Sequence, residues 1–479
     1  MNYRLIVNIL GWVLVVVAGL MALPLIAGLC YGENVLCFII TIAVTGGLGF
    51  LMTRVTPKTR ELFAREGFAI VGFSWLLMSL LGALPFVISG DIPNYIDAVF
   101  ETASGFTTTG ASIVDNVELM SRGGLFWRMF THWIGGMGML VFIMAVLPMS
   151  GEHSMHIMRA EVPGPTVGKL VPRVKKTAMI LYLIYLGLTL VETVFLLCGG
   201  MSFYDAILHA FATAGTGGFS TRAASVGAYD SVYIEMVIAT FMIIFGINFN
   251  LYFLILIGKW RTALGSEELH VFLVIIAAAV LGIAANISGM YGSFATALRH
   301  SYFNVTTIIS TAGFGTQDFT QWPAFSQWII VTLMFIGGCA GSTGGGLKLS
   351  RVMLIVKAAV SDVRQMLFPR RVTVVKLDGK RVEDGIVRAA YTHFVLYMLL
   401  LIGTTFLISI DGNDVLTNFT ASLSALSNVG PGLGLIGPKG NFNVFSYPSK
   451  AILTLAMLLG RLEIYPLLVL IFPDMWKRK

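Results

Sequence analysis

Hydrophobic positions in this chain run in long unbroken blocks rather than in one-faced or alternating patterns. Ten blocks reach the roughly 20 apolar residues that cross a bilayer as a helix. They lie at 5–30, 35–53, 67–90, 129–150, 177–199, 236–258, 271–291, 325–347, 389–410 and 451–473. The first resembles a secretion signal, but its uncharged run from Leu5 to Cys30 outlasts a signal's apolar core and no A-x-A site follows. It reads as a retained helix. Composition agrees with this picture: mean hydropathy is +0.82, with 56% hydrophobic and only 12% charged residues, against about 25% charged in a soluble domain. The predicted class is an all-α polytopic membrane protein.

The polar connections are of two kinds. One is basic. It holds one Lys or Arg before the first span, four in 54–65, five in 159–176, two at 259–261, ten in 348–388 and three at the C-terminus. The other side carries Arg122, Arg128, Arg222, Arg299, Lys439 and Lys450. The positive-inside rule puts the basic loops and both termini in the cytoplasm. The net charge of +7 then follows from topology and calls for no nucleic acid. Four cysteines, Cys30, Cys37, Cys198 and Cys339, show no CxxC and no Cys/His cluster. Cys30 and Cys37 flank a short turn and read as small apolar residues, with pairing as the alternative.

The second kind of connection occurs four times, always between two spans on the outer side. The copies are "YIDAVFETASGFTTTGAS" (95–112), "FYDAILHAFATAGTGGFS" (203–220), "ALRHSYFNVTTIISTAGFG" (297–315) and "DVLTNFTASLSALSNVGPG" (414–432). Each gives an amphipathic helix signal, then a Ser/Thr/Asn/Gly stretch ending in glycine. Asp97 and Asp205 each precede that glycine by 13 residues; the later copies lack the acid. An internal repeat sets the architecture. The unit is span, short re-entrant helix, glycine loop, span. It divides the chain into an N-terminal hairpin (1–60) and four repeats at 61–165, 166–262, 263–385 and 386–479. The predicted total is about ten transmembrane and four short helices.

Non-helical backbone at membrane depth persists only where protein buries it or water lines it. Four such loops around one axis would bring together rings of carbonyl oxygens, which replace the hydration shell of a potassium ion. Aligned on the glycine, the loops read Thr108-Thr109-Gly110, Thr216-Gly217-Gly218, Thr311-Ala312-Gly313 and Asn428-Val429-Gly430. Preceding them are Thr107, Gly215, Ser310 and Ser427. No Asp or Glu ring is present, as a calcium or general cation filter would suggest. Glycine suits the required backbone angles, and the C-terminal ends of the short helices favour a cation.

On "SGFTTTGAS", "FATAGTGGFST", "STAGFGTQD", "SNVGPGLG", "FIGGCAGSTGGGLK" and "LLGRLEIYPLLVL", the chain resembles the Trk/Ktr/HKT superfamily of potassium transport proteins, closest to the bacterial TrkH/TrkG potassium-translocating subunits. The third loop carries Gly315 where a more polar residue is usual, and the second is richer in glycine than the pattern. The resemblance implies potassium as transported ion, no organic cofactor, and a pore through each subunit of a homodimer. It also implies a bacterial inner-membrane location and a cytoplasmic TrkA-like nucleotide-binding regulatory subunit. Proton- or sodium-coupled symport and a less selective monovalent cation channel stay open.

The stretch "GGCAGSTGGG", Gly337, Gly338, Gly341, Ser342, Thr343, Gly344, Gly345 and Gly346 among its residues, falls 24 residues after Gly313. Each glycine there weakens a helix by about 1 kcal/mol. With Lys348 it reads as a gate loop, 337–347, below the filter, as the resemblance also implies. A Walker A loop is rejected: in "GGGLKLS" the lysine does not follow the last glycine and no strand precedes it. "EHSMH" at 152–156 is not HExxH, which argues against a membrane enzyme.

Arg461 lies inside the last apolar block, where a charge is a functional-site hypothesis. It reads as a positive charge below the filter, with pairing to Glu463 as the alternative. Glu192 reads as a proton site or as a packing hydrogen bond. Glu101 reads as part of an outer cation-attracting ring or as a solvated carboxylate. His132, His209 and His300 hold no consistent repeat position. "RRVTVVKLDGKRV" holds an Asp378-Gly379 hairpin signal, read either as a solvated loop or as part of a docking face.

Overall fold

The computed structural model describes residues 1–57, 63–138, 174–370 and 373–476. Residues 139–150 of the fourth predicted span, His153 and His156, much of the 54–65 and 159–176 loops, Arg371 and the C-terminal cations lie outside them.

An N-terminal hairpin is built from α1 (Tyr3–Leu20) and α2 (Ala22–Cys30), which together form one span, and α3 (Leu36–Thr53). Cys30 and Cys37 are free. The first repeat follows with α4 (Ala64–Gly82), α5 (Leu84–Ser89), α6 (Tyr95–Phe106) and α7 (Arg122–Gly136). The second has α8 (Val174–Cys198), α9 (Phe203–Gly215), α10 (Val232–Gly246) and α11 (Phe249–Leu256). The third has α12 (Glu267–Tyr291), α13 (Phe294–Ile309), α14 (Ala324–Ile336) and α15 (Leu349–Leu367). The fourth has α16 (Asp384–Ile408), α17 (Val415–Ser427), α18 (Tyr447–Arg461) and α19 (Tyr465–Ile471). The four short helices predicted from the repeat are α6, α9, α13 and α17. Short polar side chains start three of them: Asn94, Ser202 and Asp414 accept first-turn N–H groups, the role such residues play at N-caps.

Among the described residues six helices are long and apolar enough to span a membrane, or eight if each bent pair counts as one. They cover six of the ten predicted blocks. Of the other four blocks, the second spans of the repeats, 129–150 lies largely outside the described residues, and the remaining three differ from the expectation of a continuous helix. α10 and α11 meet at 87°, and α18 and α19 at 120°. Asn248 caps α11 anew through Asn250 N–H. Glu463 and Ile464 adopt positive φ, and Pro466 sits in the first turn of α19. α14 stops at Ile336 because Gly337 takes φ 69° and ψ −166°, a region open essentially to glycine. α7 begins at Arg122 and ends in Gly136.

Apolar clusters join adjacent repeats. One packs the N-terminal hairpin with repeats one and four, another repeats three and four. Lipid-facing positions such as Leu183, Leu190 and Phe406 stay exposed. The Asp378-Gly379 signal is a real hairpin: β1 (Lys376–Leu377) pairs antiparallel with β2 (Lys380–Arg381), and both turn residues have positive φ, as a type I′ turn needs.

Candidate cation pathway

Each short helix ends in the same way. Thr109, Gly217, Ala312 and Val429 donate their N–H to the carbonyls of Ser104, Ala212, Thr307 and Ser424, at 2.8–3.0 Å. The residue before each, Thr108, Thr216, Thr311 and Asn428, bonds back three residues and takes φ between 55 and 60°. This is the Schellman stop with a left-handed residue just past the helix. Glycine or asparagine normally fills that place; threonine, branched at Cβ, is a true outlier there. Three of the four loops hold it, so the backbone angle is imposed by the surroundings.

Two residues on, Gly110, Gly218, Gly313 and Gly430 also have positive φ, at 77, 76, 79 and 99°. A Cβ on Gly110 would overlap the Gly217 carbonyl, one on Gly218 the Ala312 carbonyl, and one on Gly313 the Val429 carbonyl. A Cβ on Gly430 would lie 2.7 Å from the Thr109 carbonyl oxygen. The contacts run first to second, second to third, third to fourth and fourth to first. The four loops therefore form a closed ring, with one carbonyl oxygen from each loop pressed on the glycine before it. A cavity of about 160 Å³ adjoins the ring; all four glycines line it, with Asp115, Arg222 and Lys439 at its rim.

Side chains behind the ring hold the loops in place. Glu101 is buried, which corrects both readings of it: it neither rings the mouth nor is solvated. Its carboxylate accepts from Arg128 at 2.6 Å, from Ser112 Oγ at 2.9 Å and from Ile113 N–H at 2.9 Å. Arg128 also stacks 3.4 Å from the Phe219 ring centre of the second loop. His132 Nδ1 donates to the Gly105 carbonyl at 2.8 Å, leaving Nε2 to accept Phe219 N–H at 3.3 Å. Lys450 is buried too and bonds Asp97 at 2.7 Å. Asp205 accepts from Ser202 and Thr221, and His209 Nε2 meets Ser220 Oγ at 2.9 Å. Sequence reasoning missed Arg128 and His132 because these braces differ from repeat to repeat; the one available signal was a polar side chain adjoining (Arg128) or within (His132) the apolar block at 129–150. Glu192 is fully buried on α8.

Residues 337–348 cross beneath the ring and touch the second, third and fourth repeats. Cys339 N–H and Thr343 Oγ1 donate to Gly246 and Phe245 carbonyls at the end of α10. Gly345 N–H donates to Thr311 Oγ1 at 2.7 Å. Gly345 also packs against the Ser427 carbonyl so closely that a Cβ would overlap it. The loop's own ends meet, with Leu347 N–H on the Phe335 carbonyl and Leu349 N–H on Gly338. Ser342 Oγ satisfies the Cys339 carbonyl. Lys348, counted above with the basic cytoplasmic loop, is instead buried, and its ammonium donates to the Gly344 carbonyl. Arg461 completes the arrangement. It donates to the Thr343 carbonyl at 2.7 Å and to Gly135 and Gly136 carbonyls at 2.5 and 2.9 Å. Glu463, the acid two residues on, is engaged by Arg351 of α15.

The sequence matches the TrkH family model, described as a cation transport protein, over residues 32–477. The Trk system potassium uptake protein TrkH of Escherichia coli K12 is 37% identical, and that of Halomonas elongata 35% identical, each over the whole of both chains. The crystal structure of the potassium transporter TrkH from Vibrio parahaemolyticus superposes with a TM-score of 0.90 at 33% identity over the full length of both chains. A fourfold loop ring, a family match across almost the whole sequence and relatives aligned end to end lead to one conclusion: the chain belongs to the TrkH family of cation transport proteins.

Proposed function

We propose that this chain carries potassium inward across the bacterial inner membrane through the ring of four loops, each repeat (61–165, 166–262, 263–385, 386–479) supplying one quarter. The carrying observation is the closed ring itself. Four left-handed glycines meet four carbonyl oxygens with no carboxylate among them, the arrangement that replaces the shell of a weakly hydrated monovalent cation. Thr108, Thr109, Gly110, Thr216, Gly217, Gly218, Thr311, Ala312, Gly313, Asn428, Val429 and Gly430 form the filter in this reading. Potassium as the ion is supported by the names of the relatives, which are potassium uptake proteins.

In the same reading residues 337–347, with Lys348 and Arg461, are a gate that bars the path below the filter. The protein works as a homodimer with both termini in the cytoplasm. A TrkA-like nucleotide-binding subunit on that side opens the gate. The filter is tested by Gly218→Ala, measured as potassium and sodium flux in proteoliposomes. A left-handed backbone costs a residue with Cβ about 1–2 kcal/mol, before the overlap with the Ala312 carbonyl is counted. At 1.4 kcal/mol per decade, potassium flux should fall by about tenfold or more, with the preference over sodium lost. Wild-type flux and selectivity in this variant would refute the filter.

A further inference from the structure

The 337–348 loop is fastened to the cytoplasmic hairpin through two consecutive residues at the start of α12. The first N–H groups of any helix lack partners within it, and Ser266, in the N-cap place, makes no side-chain cap bond. The cap arrives from elsewhere. Asp378 Oδ1, at the tip of the hairpin, accepts Glu267 N–H at 2.7 Å. The Glu267 carboxylate in turn accepts Asp378 N–H at 3.3 Å. This is the reciprocal logic of a capping box, with its halves 111 residues apart in the chain. Lys357 of α15 adds a third element, donating to the Glu267 carboxylate and, at 2.9 Å, to the Lys376 carbonyl.

Glu268 is the next residue and one helical step of about 100° around the axis. It is buried, and its Oε1 accepts Ala340 N–H, inside the 337–348 loop, at 2.8 Å. The two halves of this link differ in strength. The Glu267–Lys357 pair is about one-third exposed on each side, and ion pairs in contact with water contribute little. The Glu268–Ala340 bond is out of water, where a hydrogen bond is electrostatically stronger. Asp378 and Glu267 thus form a breakable outer joint on a firm inner one.

We propose that Glu267 and Glu268 are positioning residues that couple the 376–381 hairpin to the 337–348 loop, so that seating the hairpin holds the loop closed and displacing it frees the loop. α15 continues directly from the loop, and Lys357 ties it to the same hairpin, so the lateral anchor and the chain end move together. The proposal rests on the reading of residues 337–348 as a gate.

The test uses full-length protein in liposomes, read as rubidium uptake with no partner added. The variants are Asp378→Ala, Asp378→Asn, Glu268→Ala and, as reference, deletion of 341–346. Asp378→Ala and Glu268→Ala should raise basal uptake several-fold, toward the deletion. Asp378→Asn keeps an oxygen acceptor for Glu267 N–H and should match wild type. Asp378 sits on a surface turn, so its two variants report even where Glu268→Ala fails to fold. If the deletion raises uptake while both Asp378 variants behave as wild type, the coupling is wrong and the gate stands. If the deletion itself leaves uptake unchanged, the gate reading falls and the coupling with it.

Discussion

Arg461 sits where a charge is most costly, and three backbone carbonyls accept from it. Its guanidinium spans the Thr343 carbonyl of the glycine loop and two carbonyls at the end of α7, where the helix dipole is negative. Two roles can be separated at this residue. A pure electrostatic barrier needs only the positive charge. A latch needs the planar fork, which lysine lacks. Rubidium uptake should therefore rise in both Arg461→Ala and Arg461→Lys, with the lysine variant closer to alanine than to wild type. Wild-type uptake in Arg461→Lys together with high uptake in Arg461→Ala would leave the charge alone as the barrier. The residue was legible in sequence, as a charge within an apolar block. Its partners were not, because carbonyls 118 and 325 residues away leave no side-chain signature. The sequence offered Glu463 instead, which the left-handed turn at 463–464 accompanies into a bond with Arg351.

At the scale of elements, the repeat was legible because polar glycine loops stand out against apolar spans. The broken second helices were not. Hydropathy measures preference for lipid and carries no direction, so 236–258 and 451–473 read as straight. Local breakers were present all the same, in Asn248 and Pro466. The braces behind the ring show a further limit: Glu101 looked like a loop carboxylate, yet α6 buries it against Arg128 of α7. Removing one partner of a buried pair leaves an uncompensated charge and costs about 3–5 kcal/mol. Glu101→Leu and Arg128→Met should each lower the thermal midpoint in detergent sharply, whereas the double variant should recover part of the loss. Equal midpoints for the single variants and wild type would mean that the pair does not hold α6 on α7.

The whole molecule depends on closing a ring from one chain, and the closure joins the most distant parts of the sequence. Loop four meets loop one at Gly430 and the Thr109 carbonyl. Asn428 Nδ2 donates to Thr109 Oγ1 at 2.9 Å, and to the Met457 carbonyl at 2.9 Å. Outside the ring, Phe442 N–H donates to the Ser112 carbonyl and Lys450 to Asp97. Repeats adjacent in sequence meet in the ring for the ordinary reason that neighbours pack together. The fourth-to-first seam lacks that proximity in sequence and is held by these specific bonds together with the apolar cluster that joins repeats one and four. Residues in direct contact couple by about 0.5–3 kcal/mol, while distant ones add. A double-mutant cycle with Asn428→Ala and Thr109→Val, read as potassium-over-sodium preference, should therefore be non-additive. The same cycle between Asn428→Ala and Thr216→Val should be additive, because Thr216 belongs to the second loop, where its hydroxyl bonds Gly215. Equal coupling in the two cycles would mean that the ring responds as one body and that its order around the axis does not localise selectivity. Additivity in both would mean that the Asn428–Thr109 seam plays no part in choosing the ion.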